Sequence, residues 1–395
     1  MSLTLLLDLD DTLFDNPLGL FQKNYLKALG AHLNALVPAE RMIPQLLFAT
    51  AQMTAKQTVT GTLEETFDRH FYPALGLDKA VLGDRIYQFY TTVFPALQQY
   101  TRPRPAAVEL VTAARQRGWT VAVATNPLFP RIATLQRVGW AGFDPADFAL
   151  ISTYENFHFA KPQPAYYTEL LAQLGWPEGP VVMVGNDPAD DIVPAAAVGL
   201  STWLLQSETT PGGGPLEAVL PWLDELAAHG PAPTWNAPTA LLAALQSTPA
   251  ALDTLIEGLP RSIWSQPPAP GEWSLLEIIC HLRDVDREIN LPRMQLICCS
   301  GEDNPFLPGV SADGWVAERH YAAEALPAAL LEMQQSRGDL LALLADLPAE
   351  SWARPARHAI FGPTRLLELV EFMVTHDQNH VRQSRQAVSA AAGQR

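Results

Sequence analysis

Two carboxylates separated by one residue, Asp8 and Asp10, close the first apolar run of this chain in LTLLLDLDDTLFD. An acid pair placed just after a buried strand lies where open parallel sheets bind their ligands, at the carboxyl ends of strands. A carboxylate attacks a phosphate dianion only when a cation offsets the repulsion. Asp8 as a nucleophile therefore calls for Mg²⁺, which takes oxygen ligands and bridges to substrate phosphate. Asp10 can protonate the leaving group and, once deprotonated, activate the water that hydrolyses an aspartyl-phosphate. Taken alone, an Asp-x-Asp after a strand could also be a loop or a plain Ca²⁺ site.

Three later run ends favour the phosphoryl reading. WTVAVATN finishes with Thr125 and Asn126, a hydroxyl and an amide suited to a phosphoryl oxygen. FHFAKPQPAYY carries Lys161, a point cation able to offset charge on Asp8 and on the transferring group. VVMVGNDPADDI places Asp187 and Asp191 after the fourth run, where they would complete the oxygen shell of the metal. Each residue is ordinary by itself; their order and placement carry the inference.

A different chemistry is spaced along the last helical pattern, TRLLELVEFMVTHDQNHVRQ. Leu366, Leu369, Val370 and Met373 form an inner stripe that His376 and His380 continue. Imidazoles at i and i+4 lie one above the other and can ligate one ion. His281, on the face shared with Ile278 and Val285, should also point inward, so that a bundle can assemble three ligands. Neutral imidazoles suit Zn²⁺, Ni²⁺ or Fe²⁺ better than Mg²⁺.

The elements that must position these residues divide the chain. Apolar runs at 3–7, 120–124, 148–151 and 181–184 alternate with helical patterns, the signature of a parallel sheet covered by helices. The Gly- and Pro-rich stretch 206–238 puts the boundary near Ala232, giving domains 1–231 and 232–395. No strand is expected in the second. Helical patterns there cover about 249–258, 274–299, 324–346 and 364–390, a four-helix bundle with a frayed tail from Ala387. Thr248-Pro249 reads as a cap with Pro at the first helical position, and Ser274 with Glu277 as a capping box.

At 395 residues the chain exceeds one ordinary core, which agrees with that division. No apolar stretch of about 18 residues offers a membrane span, and the apolar start lacks a basic leader, so a cytoplasmic protein is expected. The three cysteines, Cys280, Cys298 and Cys299, make a poor disulfide framework and read as small buried hydrophobes. A net charge of −16 without a basic cluster argues against a nucleic-acid partner.

DLDDT, the run-final Thr125, Lys161-Pro162 and GNDPADD together resemble the four motifs of the haloacid dehalogenase-like superfamily over about residues 1–230. The resemblance implies a Rossmann-like α/β core with a helical cap of the first type over about 15–100. It further implies nucleophile Asp8, acid/base Asp10, phosphate contacts from Thr125 and Lys161, and Mg²⁺ held by Asp8, the Asp10 carbonyl and Asp187. Because Gly185-Asn186-Asp187 stands where many members have Gly-Asp, either Asn186 or Asp187 could face the metal, with Asp191 as the second acid. Asp187 is favoured for its charge. An acid at position 10 marks phosphatases rather than dehalogenases in that superfamily.

Residues 237–390 resemble the DinB-like superfamily of metal-binding four-helix bundles, through GEWSLLEIICHL and HDQNH. This implies a His281, His376 and His380 site and leaves its reaction open, since characterised members include thiol-dependent transferases. The expectation is a phosphohydrolase acting on a small phosphorylated metabolite, fused to a metal-binding bundle. The rival readings make the bundle the principal enzyme, a thiol S-transferase, or a ligand-sensing module. No nucleic-acid or membrane partner is expected, and the oligomeric state, a homodimer included, is left open.

Overall fold

The computed structural model describes residues 2–393. The chain gathers into two compact units. One contains the chain up to Gln57, Gly61–Leu170 and Pro177–Pro233; the other contains Thr58–Thr60, Leu171–Trp176 and the chain from Thr234 onward.

In order, the N-terminal half runs β1 (Thr4–Leu7), β2 (Phe14–Asp15), α1 (Leu18–Leu33), α2 (Ala39–Ala55), α3 (Leu63–Leu75), α4 (Lys79–Thr92), β3 (Arg102–Pro103), α5 (Pro105–Gln116), β4 (Thr120–Val123), α6 (Arg131–Trp140), β5 (Leu150–Ile151), α7 (Pro164–Gln173), β6 (Val181–Gly185), α8 (Val193–Ala197), β7 (Ser201–Leu205), β8 (Gly213–Gly214) and α9 (Val219–His229). Six strands pair in the order β5-β4-β1-β6-β7-β8, every pair parallel. The central strands show no alternation of apolar and polar residues because both of their faces are covered: all four residues of β1 and all five of β6 are buried. The expected α/β core is therefore observed, with β7 and β8 as additional strands. Helices α1 to α4 form the insertion after β1. The two chain passages that flank it, β2 and β3, pair antiparallel. Local chemistry sets the ends of α3: Thr62 and Glu65 form a reciprocal capping box, and Gly76 closes it in the left-handed conformation at φ 67°.

The C-terminal half contains α10 (Pro238–Ile256), α11 (Arg261–Trp264), α12 (Leu275–Val285), α13 (Leu291–Cys299), β9 (Phe306–Leu307), α14 (Trp315–Glu318), α15 (Leu326–Ala345), β10 (Pro355–His358), β11 (Gly362–Arg365) and α16 (Leu366–Gly393). Its core joins Leu252, Ile278, Leu282, Leu326 and Met333 from α10, α12 and α15. The helical bundle is as expected, and the Ser274–Glu277 capping box is present at the start of α12.

Four local expectations are corrected. Helix α10 begins at Pro238, so Thr248-Pro249 lies inside it. Thr248 Oγ1 bonds back to the Ala244 carbonyl instead of capping a helix. Pro249 has no N–H for the Leu245 carbonyl, and buried Arg337 donates to that oxygen at 2.7 Å in its place, which is how the interior proline is accommodated. Second, strands do occur: β10 pairs antiparallel with β11 and parallel with β9. These strands are two to four residues long, too short for an alternating pattern to stand out. Third, α16 continues through the predicted frayed tail to Gly393 because Ala387 and Ala391 are buried; residues 394 and 395 lie outside the described residues. Fourth, only Cys280 is fully buried, while Cys298 is half-buried and Cys299 exposed, and all three are free thiols. Among the described residues no helix is long and apolar enough to cross a membrane.

Candidate functional site

Strand β1 delivers Asp8 to the carboxyl edge of the sheet, where its amide donates to the Val184 carbonyl of β6 at 3.0 Å. Lys161 Nζ donates to Asp8 Oδ1 at 2.9 Å and to Asp191 Oδ1 at 2.6 Å, and all three residues are buried. Burial is the largest influence on Asp8 and pushes its carboxyl up to about 7; Asp191 and Asp10 add to this, while Lys161 opposes it. Burial also works against the Lys161 charge, but Asp8 and Asp191 outweigh it and hold the ammonium in its charged form. One cation thus serves two buried carboxylates. Gly185 is required beside them, since a Cβ there would stand 2.2 Å from Asp191 Oδ2.

Asp10 accepts from Asn16 Nδ2 at 2.6 Å and from Arg137 Nη1 at 2.7 Å, one donor on each oxygen. Arg137 comes from α6 and is 2% exposed, with its guanidinium 4.6 Å from the Phe129 ring centroid. Its Nε and Nη2 have no hydrogen-bond partner among the described residues. Thr125 is buried at the end of β4, where its carbonyl accepts from Ser152 Oγ at 2.7 Å and Tyr166 Oη at 2.9 Å. Asn126 Nδ2 lies 3.4 Å from both the Lys161 carbonyl and Asp190 Oδ2. The segment leading to Lys161 is gripped by buried Glu169, whose carboxylate accepts the amides of His158 and Phe159 at 3.0 to 3.1 Å.

The fourth motif departs from the sequence preference. Asp187 Oδ1 turns back to accept from the amides of Ala189 and Asp190 at 2.7 and 3.0 Å, capping a single π-helical turn. Asn186 Oδ1 instead meets Thr12 Oγ1 of the Asp8 loop at 3.3 Å. Asp191 is engaged on both oxygens, by Lys161 and by the Asp187 amide. The geometry therefore directs Asn186, rather than Asp187, toward the loop carrying Asp8 and Asp10, while Asp191 stays beside Asp8 through Lys161.

Sequence reasoning missed Arg137, Asn16 and Glu169. Arg137 had a readable signal, because it shares the inward spacing of Ala133, Thr134 and Val138 on α6, all buried. An arginine on such a stripe needs a buried anion.

In the second half, α12 supplies His281 and α16 supplies His376 and His380. One ligand atom from each lies within 4.8 Å of the others. Nε2 of His376 is 3.3 Å from Nε2 of His281 and 3.1 Å from Nε2 of His380. Burial first, and mutual repulsion second, lower His281 to about 3 and His380 to about 4, which keeps both rings neutral and able to ligate. His380 Nδ1 lies 2.9 Å from Gln383 Oε1, so that nitrogen carries its proton and Nε2 presents a lone pair. His376 Nε2–H would then face two acceptors, and the His281 proton would sit on buried Nδ1, which has no partner among the described residues. Hydrogen bonding alone leaves this trio poorly satisfied, whereas a cation shared by three Nε2 lone pairs fits it. Trp273 stacks on His380, with centroids 5.7 Å apart and planes 6° apart. Beside His376, buried Asp377 accepts from Arg337, which also donates to Asp286, both at 2.6 Å.

Residues 3–199 match the haloacid dehalogenase-like hydrolase family, and residues 244–384 match the DinB superfamily. A glyceraldehyde 3-phosphate phosphatase from Methanothermobacter thermautotrophicus is 26% identical over 213 residues, covering 51% of this chain and 85% of that protein. A phosphatase structure of the same hydrolase class, from Thermococcus onnurineus, aligns at 16% identity and TM-score 0.38 over 57% of this chain and 100% of that one. YfiT from Bacillus subtilis, a four-helix bundle of unusual topology, aligns at 20% identity and TM-score 0.36 over 40% of this chain and 87% of that one.

Proposed function

For a chain that joins a haloacid dehalogenase-like hydrolase domain at residues 3–199 to a DinB-superfamily domain at 244–384, we propose Mg²⁺-dependent hydrolysis of a small phosphomonoester through an aspartyl-phosphate on Asp8. The observation that carries this is Lys161 held between Asp8 and Asp191, with Asp10 two residues beyond the nucleophile. Support comes also from the 26% identical relative, a phosphatase.

The donor chemistry fits a hard cation, because Lys161 and Arg137 together do not offset the three carboxylates Asp8, Asp10 and Asp191 at one edge, and burial first, with Asp191 and Asp10 adding, raises Asp8. The Asp8 carboxylate, the Asp10 carbonyl and Asn186 Oδ1 would hold it. Mg²⁺ there supplies the charge that lets a carboxylate approach a phosphate dianion. Asp8 then attacks phosphorus while the ester P–O bond breaks, and Asp10 gives its proton to the departing alkoxide. Asp10 next takes a proton from water as that water attacks the phosphorus, which frees phosphate and restores Asp8. Lys161 offsets charge on Asp8 and the phosphoryl oxygens, and Thr125 and Asn126 offer them hydrogen bonds.

Acid quenching during turnover should trap one phosphoryl group on the peptide containing Asp8, read by mass spectrometry. Hydrolysis in which that peptide is never modified would mean direct attack by water.

In the second domain, His281, His376 and His380 bind one divalent transition metal, Zn²⁺, Ni²⁺ or Fe²⁺. Three protein ligands leave a position for water or substrate, the pattern of a catalytic rather than a structural site.

A further inference from the structure

The hydrolase half contains a cavity of about 270 Å³ walled by the cap helices and by the loop that follows Thr125 and Asn126. Phe21 and Tyr25 of α1, Leu46 of α2, Phe67 of α3, and Leu128 and Phe129 of the loop set its character. Among the described residues that line it, none is charged. Three of its hydroxyls are already matched: Tyr25 and Tyr90 bond each other at 2.8 Å, and Thr50 donates to the Leu46 carbonyl at 2.9 Å; Tyr72, Tyr154 and Gln22 are its other polar lining residues. Burial pushes the Tyr25 and Tyr72 phenols up to about 12, as an apolar surround should.

Two side chains, Phe129 and Arg137, link this cavity to Asp10. Phe129 forms its wall and packs against the Arg137 guanidinium, and that guanidinium donates to Asp10, the residue that hands a proton to the leaving group. An alcohol that leaves phosphorus and takes its proton from Asp10 departs on the side of these two side chains and this cavity. A cavity of about 150 Å³ lined by aliphatic and aromatic side chains holds benzene, so there is room here for one ring and a short linker. A polyol would bury most of its hydroxyls against aliphatic and aromatic side chains, with few polar groups to receive them, a situation that discriminates against such a ligand.

Resting on the phosphohydrolase reading above, we infer that the cavity receives the alcohol part of the substrate and that this part is apolar and ring-sized, not a polyol or a carboxylate. The substrate class is a phosphomonoester of an aryl-alkyl or comparable hydrophobic alcohol. This differs from what the triose-phosphate name of the 26% identical relative would suggest.

The test uses the full chain with Mg²⁺. For phenethyl phosphate against glycerol phosphate, kcat/KM should favour the former by at least ~10-fold. Calorimetric titration of the two matching non-hydrolysable phosphonates should show the same ranking. Leu46→Asn, which places an amide in a half-buried wall, should narrow the binding ratio. Equal or reversed ranking of the phosphonates overturns the inference, even where hydrolysis itself is sound. The phenethyl preference in binding without turnover of any phosphomonoester, or of the more labile anhydride acetyl phosphate, supports the cavity assignment and overturns the hydrolase reading beneath it. If the Leu46 variant fails to fold, the wild-type pair decides.

Discussion

The two halves bury polar groups in opposite ways. In the hydrolase half, charge stands at the centre of the candidate site, with Lys161 between Asp8 and Asp191 and Arg137 on Asp10. In the bundle, the converging groups are imidazoles, of which His281 and His380 are held neutral, and full charge stands one layer out, where Arg337 joins Asp286 to Asp377. Charged groups at the centre suit a site that must meet a dianion. Neutral lone pairs at the centre suit a site that holds a soft or borderline cation, where a fixed ammonium would compete. The comparison teaches that the charge state of the innermost side chains, more than the fold around them, separates these two chemistries.

The largest effect expected is at the charged centre. Asp8→Asn keeps shape but lacks a nucleophilic carboxylate, so Mg²⁺-dependent turnover should fall by more than ~10³-fold. Steady-state rates on a generic phosphomonoester check this, and a variant retaining a tenth of the activity would remove Asp8 from the mechanism.

The outer charge layer of the bundle comes next. Arg337→Met deprives two buried carboxylates of their cation and leaves the Leu245 carbonyl without its donor, a loss of about 3–5 kcal/mol. Denaturant titration of the full chain should show the second half unfolding earlier. A cost below about 1 kcal/mol would mean that packing, not this ion network, holds α16 in register.

A smaller change should follow His376→Ala. Wild-type protein is expected to carry one equivalent of transition metal and to gain about 2.7 kcal/mol at a hundredfold excess over Kd. The variant should lose both the metal, by elemental analysis, and the metal-dependent rise in Tm. Unchanged stoichiometry would return these rings to ordinary packing.

The finest distinction lies within the fourth motif. Asn186→Asp adds charge toward the Asp8 loop and should lower the Mg²⁺ concentration for half-maximal activity by roughly tenfold. Asp187→Ala should leave that concentration near wild type and instead lower Tm slightly, through loss of its cap. The reverse outcome would restore Asp187 as the ligand preferred on charge alone.

Much of this architecture was legible before folding was considered. Apolar runs followed by an acid, a hydroxyl, a lysine and an acid again point to four strand ends at one edge, since parallel strands present their carboxyl ends together. The i,i+4 spacing of His376 and His380 places both on one helical face, and Ser274 with Glu277 states where α12 begins. These rules operate over a few residues, and a few residues suffice to read them.

Other features needed the packed chain. Arg137 and Asp10 are 127 residues apart, and Arg337 and Leu245 are 92 apart, so neither pairing leaves a local mark in the sequence. Pro249 reads as a helix start because a proline normally breaks the ladder; only Arg337, arriving from α15, makes its interior position tolerable. Asn186 and Asp187 are neighbours with interchangeable motif positions, and the choice between them rests on which side-chain oxygen the following π-helical turn draws back to its own amides. Local sequence determined which elements form and which faces they bury. Tertiary structure decided the partners of the buried polar groups, because a desolvated charge or amide must be matched by whatever the rest of the chain brings within hydrogen-bonding distance.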